Sequence, residues 1–541
     1  MRGLMMHAPL LISDLISRAE RYHGDTEIVS RSAAGREHRY TYAAAHARAR
    51  RLARALARLG VKAGDRAATL AWNGYRHFEC YYAVSGSGAV IHTINPRLFP
   101  EQIAWIANDA EDSVLFFDAG FVPLVEQLAP QLKRVRAYVL LGERADMPAA
   151  SSIPGLLCYE DLLAAEDAEY AWPELEETTA SGLCYTSGTT GNPKGVLYHH
   201  RSTLLHAFMT ALPDMLSLSA RDVVLPAVPM FHVNAWGLPY SCALTGSKLV
   251  LPGPNLDGKS LYELFEAEGV TMSAGVPTVW AGLLAYLDQH GKRFSRPPRL
   301  VIGGSACPPA MIQRFETDYG VQVLHAWGMT EMSPIGTVCT LKAKHAGLDA
   351  AGRQAVMIKA GRPHFGVDMK IVDNDGRELP RDATAFGDLL VRGMSVLSGY
   401  YKGAGGDPLK DGWFPTGDVA TLDADGYMQI TDRSKDVIKS GGEWISSIDL
   451  ENIAVAHPDI QEAAVIGVSH EKWGERPLVV AVRKPDAKIS AAELLAFYEG
   501  KVAKWWRPDA VIFQDELPHT ATGKLSKLTL RQQLKAYRLP D

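Results

Sequence analysis

No two cysteines in this sequence have C-x-x-C spacing, and the six present (80, 158, 184, 242, 307 and 339) are widely scattered. In a chain this size that argues against a disulfide framework or a structural zinc site and points to buried, reduced thiols in the cytoplasm. Long apolar runs are missing too. The stretch 222–240 is broken by prolines, which disfavours a membrane helix. Near the start, Pro9-Leu10-Leu11-Ile12 is cut short by Asp14 and lacks a small-residue cleavage site, so it does not read as a secretory signal. A peripheral membrane contact stays open. Neither sign of charge dominates: 56 Lys and Arg face 61 Asp and Glu, for a net charge of −5. The chain therefore projects no global field toward nucleic acid. No internal repeat or low-complexity tract is visible.

What the sequence does have is size and one unusual loop. Its 541 residues, 47% hydrophobic, exceed what a single core organises, so more than one domain is expected. The loop runs Tyr185-Thr186-Ser187-Gly188-Thr189-Thr190-Gly191-Asn192-Pro193-Lys194-Gly195. The apolar runs on either side, Gly182-Leu183-Cys184-Tyr185 and Val196-Leu197-Tyr198, read as short strands. Glycines let backbone N–H groups close around an anion, hydroxyls add donors, and Lys194 adds a point charge. This is a grip for polyphosphate. It is not a Walker loop, because Pro193 precedes the lysine and Gly195 follows it.

Helical and strand patterns alternate up to the loop and on to about residue 320, which predicts parallel βαβ units. A helix capped by Ser13 opens the series. From Gly361 short alternating runs between Gly, Asp and Pro turns predict a β-rich subdomain over about 361–431. The chain beyond is lysine-rich and compact. The reading is a multidomain α/β protein: a large N-terminal domain, 1–433, and a small α+β C-terminal domain, 434–541.

Thr186 to Gly195 resembles the phosphate-binding loop of the AMP-forming acyl-CoA synthetases, the superfamily of acyl-CoA ligases, adenylation domains and firefly-type luciferases. Further elements follow in the family's order. Trp327-Gly328-Met329-Thr330-Glu331 resembles the family's Tyr-Gly-x-Thr-Glu element, with tryptophan in place of tyrosine. The resemblance implies that Thr330 contacts the α-phosphate, that Glu331, with Thr186, positions Mg²⁺ on ATP, and that Trp327 stacks on adenine; hard oxygen ligands suit that metal. Ser305 and Ala306 would flank the nucleotide. Phe414-Pro415-Thr416-Gly417-Asp418 resembles the element whose aspartate binds the ribose. Thr431-Asp432-Arg433-Ser434-Lys435-Asp436 resembles the hinge element, with Arg433 on the ribose, Lys435 at the hinge and Ile430 beside adenine. Lys439-Ser440-Gly441-Gly442-Glu443-Trp444 resembles the stretch facing the pantetheine arm of CoA. Leu517-Pro518-His519-Thr520-Ala521-Thr522-Gly523-Lys524 resembles the C-terminal lysine element, and Lys524 would neutralise charge on the attacked phosphoryl group.

For the acyl site the resemblance singles out Met230-Phe231-His232-Val233-Asn234-Ala235-Trp236-Gly237. His232 would lie beside the acyl carboxylate and Trp236 would gate a channel, with Gly303 and Gly304 leaving room for a chain and Met332 and Pro334 completing the wall. No lysine or arginine occurs over 223–247 or 300–313. A second buried negative charge on the substrate would go unpaired at high cost. The expectation is an ATP-dependent acyl-CoA ligase for an apolar monocarboxylate, a medium- or long-chain fatty acid favoured. The glycine-pair stretch is also similar to that of 3-methylmercaptopropionate ligases. A carrier-loading adenylation enzyme would need a carrier partner, and only 17 residues follow Lys524. A non-catalytic nucleotide sensor should lack Glu331 or Lys524, and both are present. Mg²⁺, ATP and CoA are the implied cofactor and co-substrates. A homodimer is expected from the resemblance and from the apolar segment Leu10 to Ile12.

Overall fold

The computed structural model describes residues 1, 3–186, 192–440, 443–519 and 525–539. Ser187, Gly188, Thr189, Thr190, Gly191, Gly441, Gly442 and Lys524 lie outside the described residues, as does the side chain of Glu443.

Two large sheets carry the first part of the chain. In one, the strands Leu157–Cys158, Ala137–Leu140, Asp112–Phe117, Arg66–Leu70, Val90–Thr93 and Ala180–Tyr185 run parallel, and Gly195–His199 closes the edge antiparallel. The second has nine strands, with a parallel centre from Gln322–Gly328 across to Glu27–Arg31 and antiparallel edges. Strands buried on both faces read as continuous apolar runs, as in Val114-Leu115-Phe116-Phe117, because helices cover both sides. The helices Ile12–His23, Tyr42–Arg58 and Tyr75–Gly86 bury their apolar stripes in the cluster that joins the two sheets. The mixed α/β class expected from the alternation is the observed one.

The strands Val367–Val372, Phe386–Gly393, Phe414–Leu422 and Met428–Arg433 form a separate antiparallel sheet. A last sheet of Ile438–Ser440, Glu443–Ile445, Ile460–His470, Gly474–Arg483 and Ala510–Phe513 packs against Ser447–Val455. All six cysteines are buried and unpaired. Among the described residues no helix is long and apolar enough to cross a membrane.

Two details near the start differ from the sequence reading. Ser13 does not cap the first helix; it lies inside Ile12–His23, whose entry residue is Leu11. Instead His200 Nδ1 accepts from the Ile12 backbone N–H at 3.1 Å. A ring from 188 residues away satisfies the helix end, which local pattern cannot reveal. Leu11 and Ile12, counted toward a dimer surface, belong to the core.

Candidate active site

The loop read as a phosphate grip spans a hairpin. Tyr185 pairs with Gly195 across the antiparallel edge, and Thr186 N donates to the Lys194 carbonyl at 2.9 Å. Lys194 N donates back to Thr186 Oγ1 at 3.3 Å, so the neck of the loop is closed on both strands. The Lys194 ammonium lies 4.8 Å from the centre of the Tyr400 ring. The Tyr400 hydroxyl donates to Glu331 Oε1 at 2.9 Å. Burial and the neighbouring Glu331 carboxylate hold that phenol protonated, well above its ordinary range. Lys194 and Glu331, distant in sequence, are therefore bridged by one aromatic ring.

Thr330 and Glu331 sit in a short 3₁₀ turn, Thr330–Met332, and both are buried. The Tyr198 hydroxyl donates to the Thr330 carbonyl at 2.6 Å, tying this turn to the strand leaving the phosphate loop. Just before it, Gly328 meets the chain returning at Pro334, where a Cβ would stand 2.0 Å from the Pro334 carbonyl oxygen. No other residue fits that crossing. Met332 is fully buried with Ile371 and Leu389 in the core of the antiparallel sheet.

Asp418 is 3% exposed and accepts from two directions. The Trp327 indole N–H donates to Oδ2 at 2.9 Å, and Arg433 Nε meets Oδ1 at 2.9 Å. The tryptophan that replaces the family's tyrosine thus holds the expected ribose carboxylate, a role the motif alone did not indicate. Ile430 packs at the edge of the same sheet's core, while Ser305 and Ala306 form an exposed turn after Arg299–Ile302. Lys435 is exposed in the turn after Arg433, and Ser434 Oγ donates to Asp388 Oδ1 at 2.7 Å.

The acyl-site segment has an uncommon backbone. Val233, Asn234, Ala235 and Trp236 have φ of 45°, 56°, 50° and 57°, followed by Gly237 at 79°. Four successive non-glycine residues are left-handed, a conformation that costs about 1–2 kcal/mol for each L-residue. Asparagine tolerates this region best, and Asn234 Oδ1 accepts from the Cys184 thiol at 3.4 Å. The Ala235 amide donates to the Pro229 carbonyl and the Gly237 amide to the Asn234 carbonyl. The turn throws the Trp236 ring onto the glycine pair: Cβ atoms built at Gly303 and Gly304 would each lie 3.4 Å from it. The room expected at Gly303 and Gly304 is filled here by Trp236, and at Gly303 also by the Ala326 carbonyl, 2.6 Å from such a Cβ.

A small pocket opens beside this turn, lined by Thr93, Ile94, Asn95, Leu98, Ile106, Cys184, Tyr185, Thr186, Phe231, His232 and Val233. His232 and the phosphate-loop neck therefore share one cavity, and its described lining holds no lysine, arginine, aspartate or glutamate. A cation the sequence reading missed, the exposed Arg97, lies 5.9 Å from the Phe231 ring centre. Behind the turn, His206 accepts from the Ile335 N–H at 3.0 Å, and burial pushes its pKa down to about 3, so the ring is neutral.

In the last part of the chain, Lys439 and Ser440 lead the hairpin Ile438–Ile445, and the Trp444 ring packs on Phe386 with centres 5.7 Å apart. The segment bearing Lys524 is bracketed by the bridge His519↔Leu525 and by Lys527. Lys527 Nζ is bonded to Glu451 at 2.7 Å and to Ser447 Oγ at 2.6 Å. Burial disfavours its charge, but the Glu451 and Asp432 carboxylates outweigh that and raise its pKa.

Comparison with known proteins agrees with this geometry. The family model described as AMP-binding enzyme matches residues 15–401, and that of its C-terminal domain matches 449–524. The chain is similar to a 3-methylmercaptopropionyl-CoA ligase of Ruegeria lacuscaerulensis, 56% identical over 99% of each chain. It is 52% identical to a medium-chain-fatty-acid–CoA ligase of Ectopseudomonas oleovorans, over 98% of this chain and 97% of that one. Among solved structures it superposes on an anthranilate CoA ligase in complex with anthranoyl-AMP, with a TM-score of 0.87, 25% identity and 98% coverage of both.

Proposed function

This chain belongs to the AMP-binding enzyme family and is an AMP-forming acyl-CoA ligase; from that premise we propose that its acid is an apolar monocarboxylate, a medium- or long-chain fatty acid being favoured. The carrying observation is the wall around Trp236. The ring lies on Gly303 and Gly304, the described lining of the adjoining pocket holds no lysine, arginine, aspartate or glutamate, and the histidine behind the turn is held neutral. Such a site desolvates an alkyl chain at no electrostatic cost and penalises a second carboxylate. A chain long enough to run along Gly303 and Gly304 must displace the indole.

One observation favours a shorter acid. With Trp236 seated on the glycines, the space beyond is closed, which would suit a substrate such as 3-methylmercaptopropionate. The deciding experiment is a panel of carboxylates assayed for AMP and acyl-CoA, with and without CoA. A preference for dicarboxylates would overturn the reading.

In the first step the carboxylate, oriented by His232, attacks the α-phosphorus of ATP. The phosphate loop, Lys194 and Thr330 hold the phosphates, and Asp418 and Arg433 hold the ribose. Mg²⁺ brought with ATP would neutralise phosphate charge. Glu331 and the Thr186 hydroxyl are hard oxygen donors suited to it, and the lack of any larger cluster of ligating side chains among the described residues fits an ion that arrives on its nucleotide. Catalysis here is positioning and charge stabilisation. In the second step the small domain, 434–541, turns about Lys435 and exchanges Lys524 for the Gly441–Gly442 stretch, which lines the way for the CoA thiol. Cytoplasmic location rests on the scattered, unpaired cysteines and homodimerisation on resemblance; a monomer mass by light scattering would remove the second.

A further inference from the structure

Arg476 belongs to none of the recognised motifs, yet all five of its N–H groups have acceptors. It lies on the strand Gly474–Arg483 and is 8% exposed. Nε and Nη2 fork onto Asp509 at 2.9 and 2.7 Å, and Nη2 also donates to the Arg507 carbonyl at 2.9 Å. Nη1 donates to the Trp505 carbonyl at 2.6 Å and to Ser440 Oγ at 3.2 Å. Ser440 is the last residue before the glycine pair and is itself buried. It pairs with Gly474, and the adjacent Lys439 N–H donates to Glu475 Oε2 at 3.0 Å. The strand before Gly441 is therefore moored to three consecutive positions of one neighbour: Gly474 by backbone pairing, Glu475 and Arg476 by side chains.

We propose that Arg476 is a positioning residue for the thioester-forming step, holding the Ile438–Ser440 strand and the Trp505–Asp509 segment in fixed relation, so that the chain leads from a fixed strand end into the CoA-facing stretch. The inference rests on reading Gly441 and Gly442 as the CoA-facing stretch. The physical reason for arginine is its planar fork, which fixes direction as well as distance; an ammonium supplies charge without that geometry. A buried, fully bonded guanidinium has no cheap alternative arrangement. Lys527, in the described chain after Lys524, is bonded to Glu451 and Ser447 and shares no partner with Arg476, so a disturbance at Arg476 is directed at one step. If Arg476 merely held the sheet together, its loss would slow both steps alike.

The test is single-turnover kinetics of the two half-reactions, with the acid that the carboxylate panel selects. In Arg476→Met, acyl-CoA formation from supplied acyl-AMP should fall roughly a hundredfold, the scale of a misplaced reacting group, while pyrophosphate release without CoA keeps its rate. Arg476→Lys should recover little. If Arg476→Met is unfolded at the assay temperature, Ser440→Ala removes only the contact to the hairpin and should slow the same step selectively. Equal slowing of both steps, no slowing of either, or full rescue by lysine overturns the proposal. Gly441→Leu in the same assay separates the two ideas. If it blocks thioester formation and the Arg476 variants do not, the positioning role falls and the CoA reading stands. If Gly441→Leu leaves that step intact, the CoA reading falls and takes the proposal with it.

Discussion

Around Asp418 and Glu331 the functional side chains are bonded in advance to protein donors, whereas around Trp236 the order lies in a costly backbone. Asp418 is held by Trp327 and Arg433, Glu331 by Tyr400, and the Thr330 carbonyl by Tyr198. Each donor comes from a different strand or loop, so Asp418, Glu331 and Thr330 are fixed from several directions. The acyl side is a left-handed turn at Val233–Trp236, held by backbone bonds to the Pro229 and Asn234 carbonyls and by the Cys184 thiol on Asn234. Backbone strain of this kind persists only where the surrounding structure holds it, so the turn stores energy that a change in its contacts would release. The same two steps serve every substrate in the family, so the nucleotide side gains from rigidity; an acid-selecting wall gains from being movable.

The comparison can be broken most forcefully at Glu331. Glu331→Gln keeps the shape and removes the charge, and adenylation should slow by roughly 10²–10³, as for loss of one preorganised electrostatic contact. Rapid-quench measurement at limiting Mg²⁺ checks it, and an unchanged rate would refute the assignment. On the acyl side, Trp236→Ala should instead redistribute activity among acids, favouring longer chains by roughly tenfold, the range of one to two buried methylene contacts. If the chain-length profile keeps its shape, the ring is packing and not a gate.

Asn234→Ala sharpens the contrast. Alanine loses both the tolerance for φ near 56° and the bond to Cys184, so the midpoint of thermal unfolding should fall by the equivalent of about 1–2 kcal/mol. KM for the acid should rise more than KM for ATP; equal changes would mean that the turn is not a separate unit. The smallest effect is a slope. The folded-state pKa of His206 is depressed to about 3, so the unfolded chain binds its proton first. Stability is lost as pH falls below the ordinary histidine value, by about 1.4 kcal/mol per unit, down to the folded value. His206→Gln should flatten the acid limb by that amount between pH 6.5 and 5, read from denaturant midpoints. Parallel curves would show that the ring is already charged.

The motifs assigned to the nucleotide side could be found because they are short contiguous stretches: a hydroxyl and glycine loop, Thr330 beside Glu331, Asp418 after a turn. Their partners were not. Tyr198 and Tyr400 are ordinary strand and loop tyrosines until the chain folds back over the 3₁₀ turn, and nothing in Trp327 announces a bond to a carboxylate 91 positions on. The geometry of the acyl turn was out of reach for a related reason. Val-Asn-Ala-Trp has no local signal for left-handed geometry, and Gly303 and Gly304, taken as open space, proved to be where another element's ring and carbonyl come to rest. Ser13 failed as a cap because a histidine from a later helix had taken the place.

By itself the sequence determined the alternating α/β architecture, the family and the order of the motifs, since hydrophobic period, glycine placement and contiguous polar triplets are local properties that survive without coordinates. Tertiary structure alone decided which donor holds each carboxylate, that Trp236 closes the glycine wall, that Leu11 and Ile12 are core, and that Arg476 moors Ser440. Those depend on groups tens to hundreds of residues apart meeting within about 3 Å, and a hydrogen bond is made or lost over a few tenths of that distance.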